Sequence, residues 1–220
     1  MKEIIYEKIL LGKKPIGARN ENITIRESAS KVVDEMVRKY HYSHKPTKNR
    51  FLSFLVNNDK GFLQLGYGIR PKMKHTISKQ ITDGNFCEFD RMWLSDELPK
   101  NSESQTISLL LFYLKSVYPR IKFVITYADG SVGNKGIIYK ASNAIFVGKV
   151  PVDFYLLPNG ERIHPVSMYH RHKTRAKSFV EKQYPGIKHI KGGEYQYRFL
   201  YVLNKGMRRK FQERNASIPY

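Results

Sequence analysis

Apolar residues in SASKVVDEMVRKYHY recur at Val32, Val33, Met36, Val37 and Tyr40. That is the spacing of one helix face, and it predicts a helix over 30–40 with Ser28 or Ser30 as cap. The period then shortens. FLSFLVN (51–57) and FLQLGYGI (62–69) are dense in aromatic and aliphatic residues, and the NDKG between them reads as the turn of a hairpin. EFDRMWL (88–94) alternates as a strand, with Glu88, Asp90 and Met92 on one face and Phe89, Arg91 and Trp93 on the other. QTISLLLFYLKSVY (105–118) is an apolar helix ending before Pro119, and IKFVITYA (121–128) is a continuous apolar run of the kind buried at a sheet centre. GIIYKASN (136–143) reads as a short helix, AIFVGKV (144–150) as a strand, 167–182 as a basic helix and YQYRFLYVL (195–203) as a final strand. The tail KGMRRKFQERN reads as partly helical, and 13–24 and 70–84 as irregular. Strand–helix–strand units in this order imply parallel neighbours within a mixed α/β sheet.

Composition narrows the class. At 220 residues and 41% hydrophobic, the chain suits one domain with a sizeable core, or one domain with a small appendage. It carries 39 Lys and Arg against 19 Asp and Glu, a net charge of +20. That exceeds the ~2–8 charges that solubility asks of a small domain, so a polyanion is expected, nucleic acid first. Residues 161–220 hold 14 basic and 4 acidic side chains. This quarter is the expected electrostatic footprint. The single cysteine, Cys87, allows no internal disulfide and reads as a buried thiol in a reducing cytoplasm. No apolar run is long enough to span a membrane, and the first residues lack a signal-peptide pattern.

Five constellations carry candidate chemistry. In DELPKNSESQ, Ser102 and Gln105 have capping-box spacing. First-turn amides there, with Lys100, Ser102 and Ser104, would hold an anion. An ordinary capped helix is the simpler reading of the spacing alone, and the loop lacks the glycines of a pyrophosphate cradle. In KYHYSHKP, His41 and His44 stand three apart around Tyr42 and Ser43, at a spacing that would put both imidazoles on one helix face. Acid–base work, base stacking, metal binding and a simple helix C-cap all remain open for them. In YADGSVGNKGIIYKASN, Asp129 ends a buried strand, at the edge where open sheets bind ligands, or is a turn former. Arg91 is a charge within an apolar strand and either pairs, for example with Asp129, or binds substrate. Last, Arg171, Lys173, Arg175 and Lys177 interleave with Tyr169, His170 and His172, as suits phosphates and stacked bases.

KYHYSHK, FDRMWLSDELPKNSESQTIS and YADGSVGNKGIIYKASN, in this order within 39–143, resemble the Mom family of bacteriophage DNA-modification proteins. The resemblance implies an α/β (α+β) fold like that of the Gcn5-related N-acetyltransferases, a mixed sheet flanked by helices with a basic C-terminal extension. The division expected is a catalytic core over 1–160 and a segment over 161–220 that completes the fold and contacts nucleic acid. The implied activity adds a carbamoylmethyl (acetamido) group to the exocyclic amine of adenine in double-stranded DNA, the adenine being flipped out, within the host cytoplasm. Phage DNA so marked evades restriction. Carried over as catalytic are Asp129, His41, Tyr42, Ser43 and Tyr139; as donor-binding, Arg91, Lys100, Ser102 and Ser104. His44, Lys45, Arg171, Lys173, Arg175, Arg208 and Arg209 are expected on nucleic acid. The donor is an acyl or aminoacyl carrier, with acetyl coenzyme A one candidate. Plain acyl transfer gives an amide, whereas a carbamoylmethyl group needs a bond from nitrogen to a methylene. Iron held by His41 and His44 is one route to it. An acyltransferase acting on RNA or protein amines and a non-catalytic nucleic-acid-binding module are the alternative functions.

Overall fold

A computed structural model describes residues 23–68, 76–216 and 218. The irregular readings of 13–22 and 70–75 lie outside these residues. The described elements are β1 (Ile25–Glu27), α1 (Ser30–Tyr40), β2 (Arg50–Val56), β3 (Gly61–Gly66), β4 (Phe86–Leu94), α2 (Ser102–Val117) and β5 (Phe123–Asp129). A 3₁₀ turn (Gly130–Val132), α3 (Ile137–Ala141), β6 (Ile145–Leu156), β7 (Arg162–Ile163), α4 (Pro165–His172), α5 (Lys177–Gln183), β8 (Lys188–Val202) and α6 (Lys205–Asn215) follow. The strands hydrogen-bond in the order β1-β2-β3-β4-β5-β8-β6-β7. The first four run antiparallel to their neighbours, and β4 pairs parallel with β5 from Phe86↔Phe123 to Phe89↔Thr126. This is the mixed α/β sheet the sequence predicts.

Two compact units divide the chain. Of the described residues, the first takes those up to Tyr127, Gly136–Gly148 and those from Arg198, and the second Ala128–Lys135 with Lys149–Tyr197. The boundary expected at 160/161 falls inside the second unit. In the first, Val33 and Val37 of α1 pack on Leu55 and Phe62, while Phe123, Ile125, Leu200 and Phe211 form a second cluster. Cys87 is fully buried, and burial first, then Asp90 and Glu88, push its thiol far above the ordinary range. In the second unit, Tyr155, Leu157, Ile163, Met168 and Val180 share a small core.

Several local expectations need correction. The cap of α1 is Ala29, which makes no side-chain bond, while the Ser30 hydroxyl accepts from Ser53 at 3.3 Å. No capping box starts α2. Its N-cap is Asn101 at φ 72°, and the hydroxyls of Ser102 and Ser104 donate to the carbonyls of Pro99 (2.6 Å) and Asn101 (3.0 Å). Asparagine enters the left-handed region more readily than other side chains, so the loop turns without glycine. The basic helix at 167–182 is two helices, because Lys173 is left-handed (φ 60°) and ends α4. In β4, Gln64 faces Arg91 while Leu65 faces Phe89, so Asp90 is the extra residue of a bulge and the simple alternation slips there.

Candidate active site

Helix α1 stops at Tyr40 because the chain turns extended at His41, so His41 and His44 do not share a helix face. The His41 ring is buried (5% exposed). The Ser43 amide donates to its Nδ1 at 3.1 Å, and Ser43 Oγ lies 2.8 Å from the same atom. A ring nitrogen that accepts from an amide carries no proton, so the hydrogen sits on Nε2. Burial, then the Arg91 charge and His44, lower the His41 pKa to about 4. At pH 7 it is a neutral Nε2–H donor. The exposed Tyr42 ring tilts over it, with centroids 4.3 Å apart. His44 has turned to φ 49°, and its Nδ1 lies 2.8 Å from the Arg38 carbonyl, which closes the end of α1.

Arg91 ties this loop to β4. Its Nε donates to the Lys45 carbonyl (3.3 Å) and its Nη1 to the Asp90 carbonyl (2.7 Å). Its charge reaches both His41 and Tyr139. Tyr139, on α3, is buried against Phe89 and Phe199. Its hydroxyl meets that of Thr126, whose own proton goes to the Phe89 carbonyl at 3.1 Å. Tyr139 is therefore the donor of that pair, and burial raises its pKa, keeping it a phenol. The Phe89–Thr126 step is where the parallel pairing of β4 and β5 ends. His41, Tyr42, Arg91 and Tyr139 thus meet at the open end of a parallel strand pair, with Ser43 fixing the tautomer of the histidine.

Thr47, Gln64, Asp34 and Arg50 support the site, and none was picked out from sequence. The Thr47 hydroxyl donates to Gln64 Oε1 (3.1 Å), Gln64 Nε2 to Asp34 Oδ1 (3.0 Å), and Arg50 pairs with Asp34 at 2.6 Å while donating to the Thr47 carbonyl at 2.7 Å. The signal was present: Gln64 interrupts the apolar FLQLG and Asp34 stands between Val33 and Val37. Asp90 abuts Thr47, and burial raises its carboxyl to about 6 against the pull of Arg91, Thr47 and Glu88. A carboxyl with a raised folded pKa stabilises most when protonated, below its unfolded value near 4, and that gain is lost as pH climbs towards 6. The stability advantage of wild type over Asp90→Asn should therefore shrink between pH 4 and above 6, as read by urea unfolding. Parallel curves for the two proteins would remove the proton from Asp90.

Asp129 lies in the second unit and caps the 3₁₀ turn. Its Oδ1 accepts from the Ser131 amide (3.0 Å) and hydroxyl (2.5 Å), and Arg162 donates to Ser131 Oγ at 2.7 Å. Arg171 contacts the Tyr184 hydroxyl and Glu161, and Lys173 and Arg175 are exposed. On α6, Arg209 pairs with Glu213 (2.9 Å), while Arg208 donates to the Asn143 carbonyl (3.1 Å). Burial, followed by the charges of Arg208 and Lys205, holds Lys115 below the ordinary lysine value.

Two groups can be tested against these residues. Among the described residues no three His, Cys, Asp or Glu side chains gather to hold a metal ion, so His41 and His44 are not joined by a third such ligand. At the start of α2, the Ser102 and Ser104 hydroxyls are turned onto carbonyls, and Asp96, Glu97 and Glu103 outnumber the exposed Lys100, though Glu97 pairs with Lys60. What faces an anion is the amides of Glu103 and Ser104. With Lys100 these amides offer an anion a helix N-terminus, without the glycines of the usual pyrophosphate cradle.

The sheet order and helix placement are those of the Gcn5-related N-acetyltransferase fold. The chain is similar to Arabidopsis thaliana NAA60 in complex with acetyl-CoA, with a TM-score of 0.50 and 12% identity over 82% of this chain and 99% of that one. It is also similar to the spermidine/spermine N-acetyltransferase SpeG from Vibrio cholerae, with a TM-score of 0.48 and 9% identity, covering 85% of this chain and 96% of that one. The sequence model of the Mom protein family matches residues 22–220, and the chain belongs to that family. Methylcarbamoylase mom of Escherichia phage Mu is 28% identical over 211 residues, 93% of this chain and 86% of that protein.

Proposed function

We propose that this protein is a transferase that places a carbamoylmethyl group on the exocyclic amine of adenine in double-stranded DNA, acting in the host cytoplasm to shield phage DNA from restriction. The observation that carries the reading is the grouping of His41, Tyr42, Arg91 and Tyr139 in a chain similar, nearly end to end, to a methylcarbamoylase. The amine nitrogen forms a bond to a methylene, the bond from methylene to its leaving group breaks, and one amine proton departs. The donor must therefore present an electrophilic methylene. The exposed Tyr42 ring offers the extruded purine a stacking surface. His41 Nε2–H is a neutral donor for a ring nitrogen, and the Tyr139 oxygen, whose own proton goes to Thr126, can accept from the exocyclic amine. Arg91 faces negative charge developing on the leaving group. Asp129 is carried over from the family motif YADGSVGNKG as the proton acceptor. Lys100 and the first-turn amides of α2 take a small anionic group of the donor. His44, Lys45, Arg171, Lys173, Arg175, Arg208 and Arg209 lie along phosphates.

Expression in a bacterial host, digestion of its DNA and nucleoside mass spectrometry test the reading. Deoxyadenosine heavier by a carbamoylmethyl group is expected, and its loss in Asp129→Ala with DNA binding retained. Unmodified DNA beside modified tRNA or protein amines would overturn the reading in favour of an acyltransferase. Folded protein that binds DNA and yields no product would make it a binding module.

A further inference from the structure

Ile137 is 75% exposed, more than any other large hydrophobic side chain among the described residues, and burial does not account for it. It is also rigidly held. Gly136 is left-handed (φ 73°), its carbonyl accepts from the amides of Tyr139 and Lys140, and the Ala144 amide returns to the Tyr139 carbonyl at 2.8 Å. Ser142 locks the far end of α3 onto Ile138 (2.7 Å) and Tyr201 (2.6 Å), and Arg208 of α6 reaches the Asn143 carbonyl. Two residues on, Tyr139 points inward to the site. Residues 130–152 carry three lysines and no acid. An aliphatic tip on a stiff corner within a basic stretch suits a partner that is anionic outside and apolar between its layers, which describes stacked base pairs.

We propose that Ile137 enters the duplex and fills the space vacated by the extruded adenine. The inference rests on the reading that the substrate is adenine in DNA. Extrusion leaves an unstacked gap, and apolar side chains wedged between base steps are the usual way proteins hold such a gap open. A branched aliphatic on a short arm suits this task, since it covers both flanking bases without hydrogen-bonding either.

The test compares the full-length protein with Ile137→Ala and Ile137→Leu on one DNA sequence, supplied as duplex and as single strand. Clarified lysate of the expression host serves as donor source and nucleoside mass spectrometry as readout. Ile137→Ala should lose about 10-fold or more on duplex and stay within about 2-fold on single strand, where no gap needs filling. Ile137→Leu should restore most of the duplex activity, and the Tm should be unchanged in both. Equal losses on both substrates, or wild-type activity of Ile137→Ala on duplex, would overturn the wedge. Absence of modification by the wild type on either substrate would instead sink the adenine reading itself.

Discussion

Arg91→Ala will lower adenine modification of host DNA by about 100-fold or more while the protein stays folded. Three losses combine. The guanidinium no longer bonds the Lys45 carbonyl, so the loop carrying His41, Tyr42 and Ser43 loses its tie to β4. A charge that reaches both His41 and Tyr139 disappears. The leaving group then has no cation facing it. Arg91→Lys separates these effects. The ammonium retains the charge but cannot span the carbonyls of Lys45 and Asp90 together. Its activity should fall between wild type and alanine, with the His41 pKa still depressed when followed by NMR. In Arg91→Ala that pKa should rise, though not to the ordinary value, because burial is the larger cause. Activity of Arg91→Ala within about threefold of wild type would take Arg91 out of the site.

Gly130→Ala will destabilise the protein by about 3 kcal/mol or more. A Cβ at this position would lie 2.5 Å from the Tyr195 carbonyl oxygen and 2.9 Å from the Tyr197 ring. The carbonyl is backbone within β8, so it cannot swing aside as a long side chain would. Relief requires moving the 3₁₀ turn, and with it the bonds from Ser131 to Asp129. Activity should therefore fall together with stability. Gly133→Ala is the matched control. It stands at φ 77° with nothing within 4 Å of its Cβ position. It should cost only the left-handed backbone term, about 1 kcal/mol. Urea unfolding of the two variants checks the contrast, and near-equal midpoints would contradict the packing argument.

Where periodicity was strong, the sequence was a good guide. Helix α1 stands at its expected residues, and the hairpin and the buried strand β5 differ only at their ends. Strand β1, three residues long, is too short to show a period. Strand β8 begins at Lys188, before its apolar part, because KHIKGGEYQY extends largely exposed and carries glycines that usually mark turns. The break after α4 rests on a left-handed lysine, a residue type that gives no turn signal. Ser102, at capping-box spacing from Gln105, had a local carbonyl to bond, as did Ser104, and these won. In the site, His41, Tyr42, Arg91 and Tyr139 were legible through their family motifs. Thr126 was hidden inside an apolar run. The tautomer of His41 depends on a loop amide that no spacing rule specifies.

The buried thiol of Cys87 has a practical consequence. The chain has no other cysteine, and this one is sealed from solvent and held in its unreactive form. A maleimide dye or nitroxide added to the native protein therefore has no target. Any cysteine introduced on the surface, Ile137→Cys for instance, would be the one labelled position. A fluorophore there would report directly whether that corner leaves water when DNA is added.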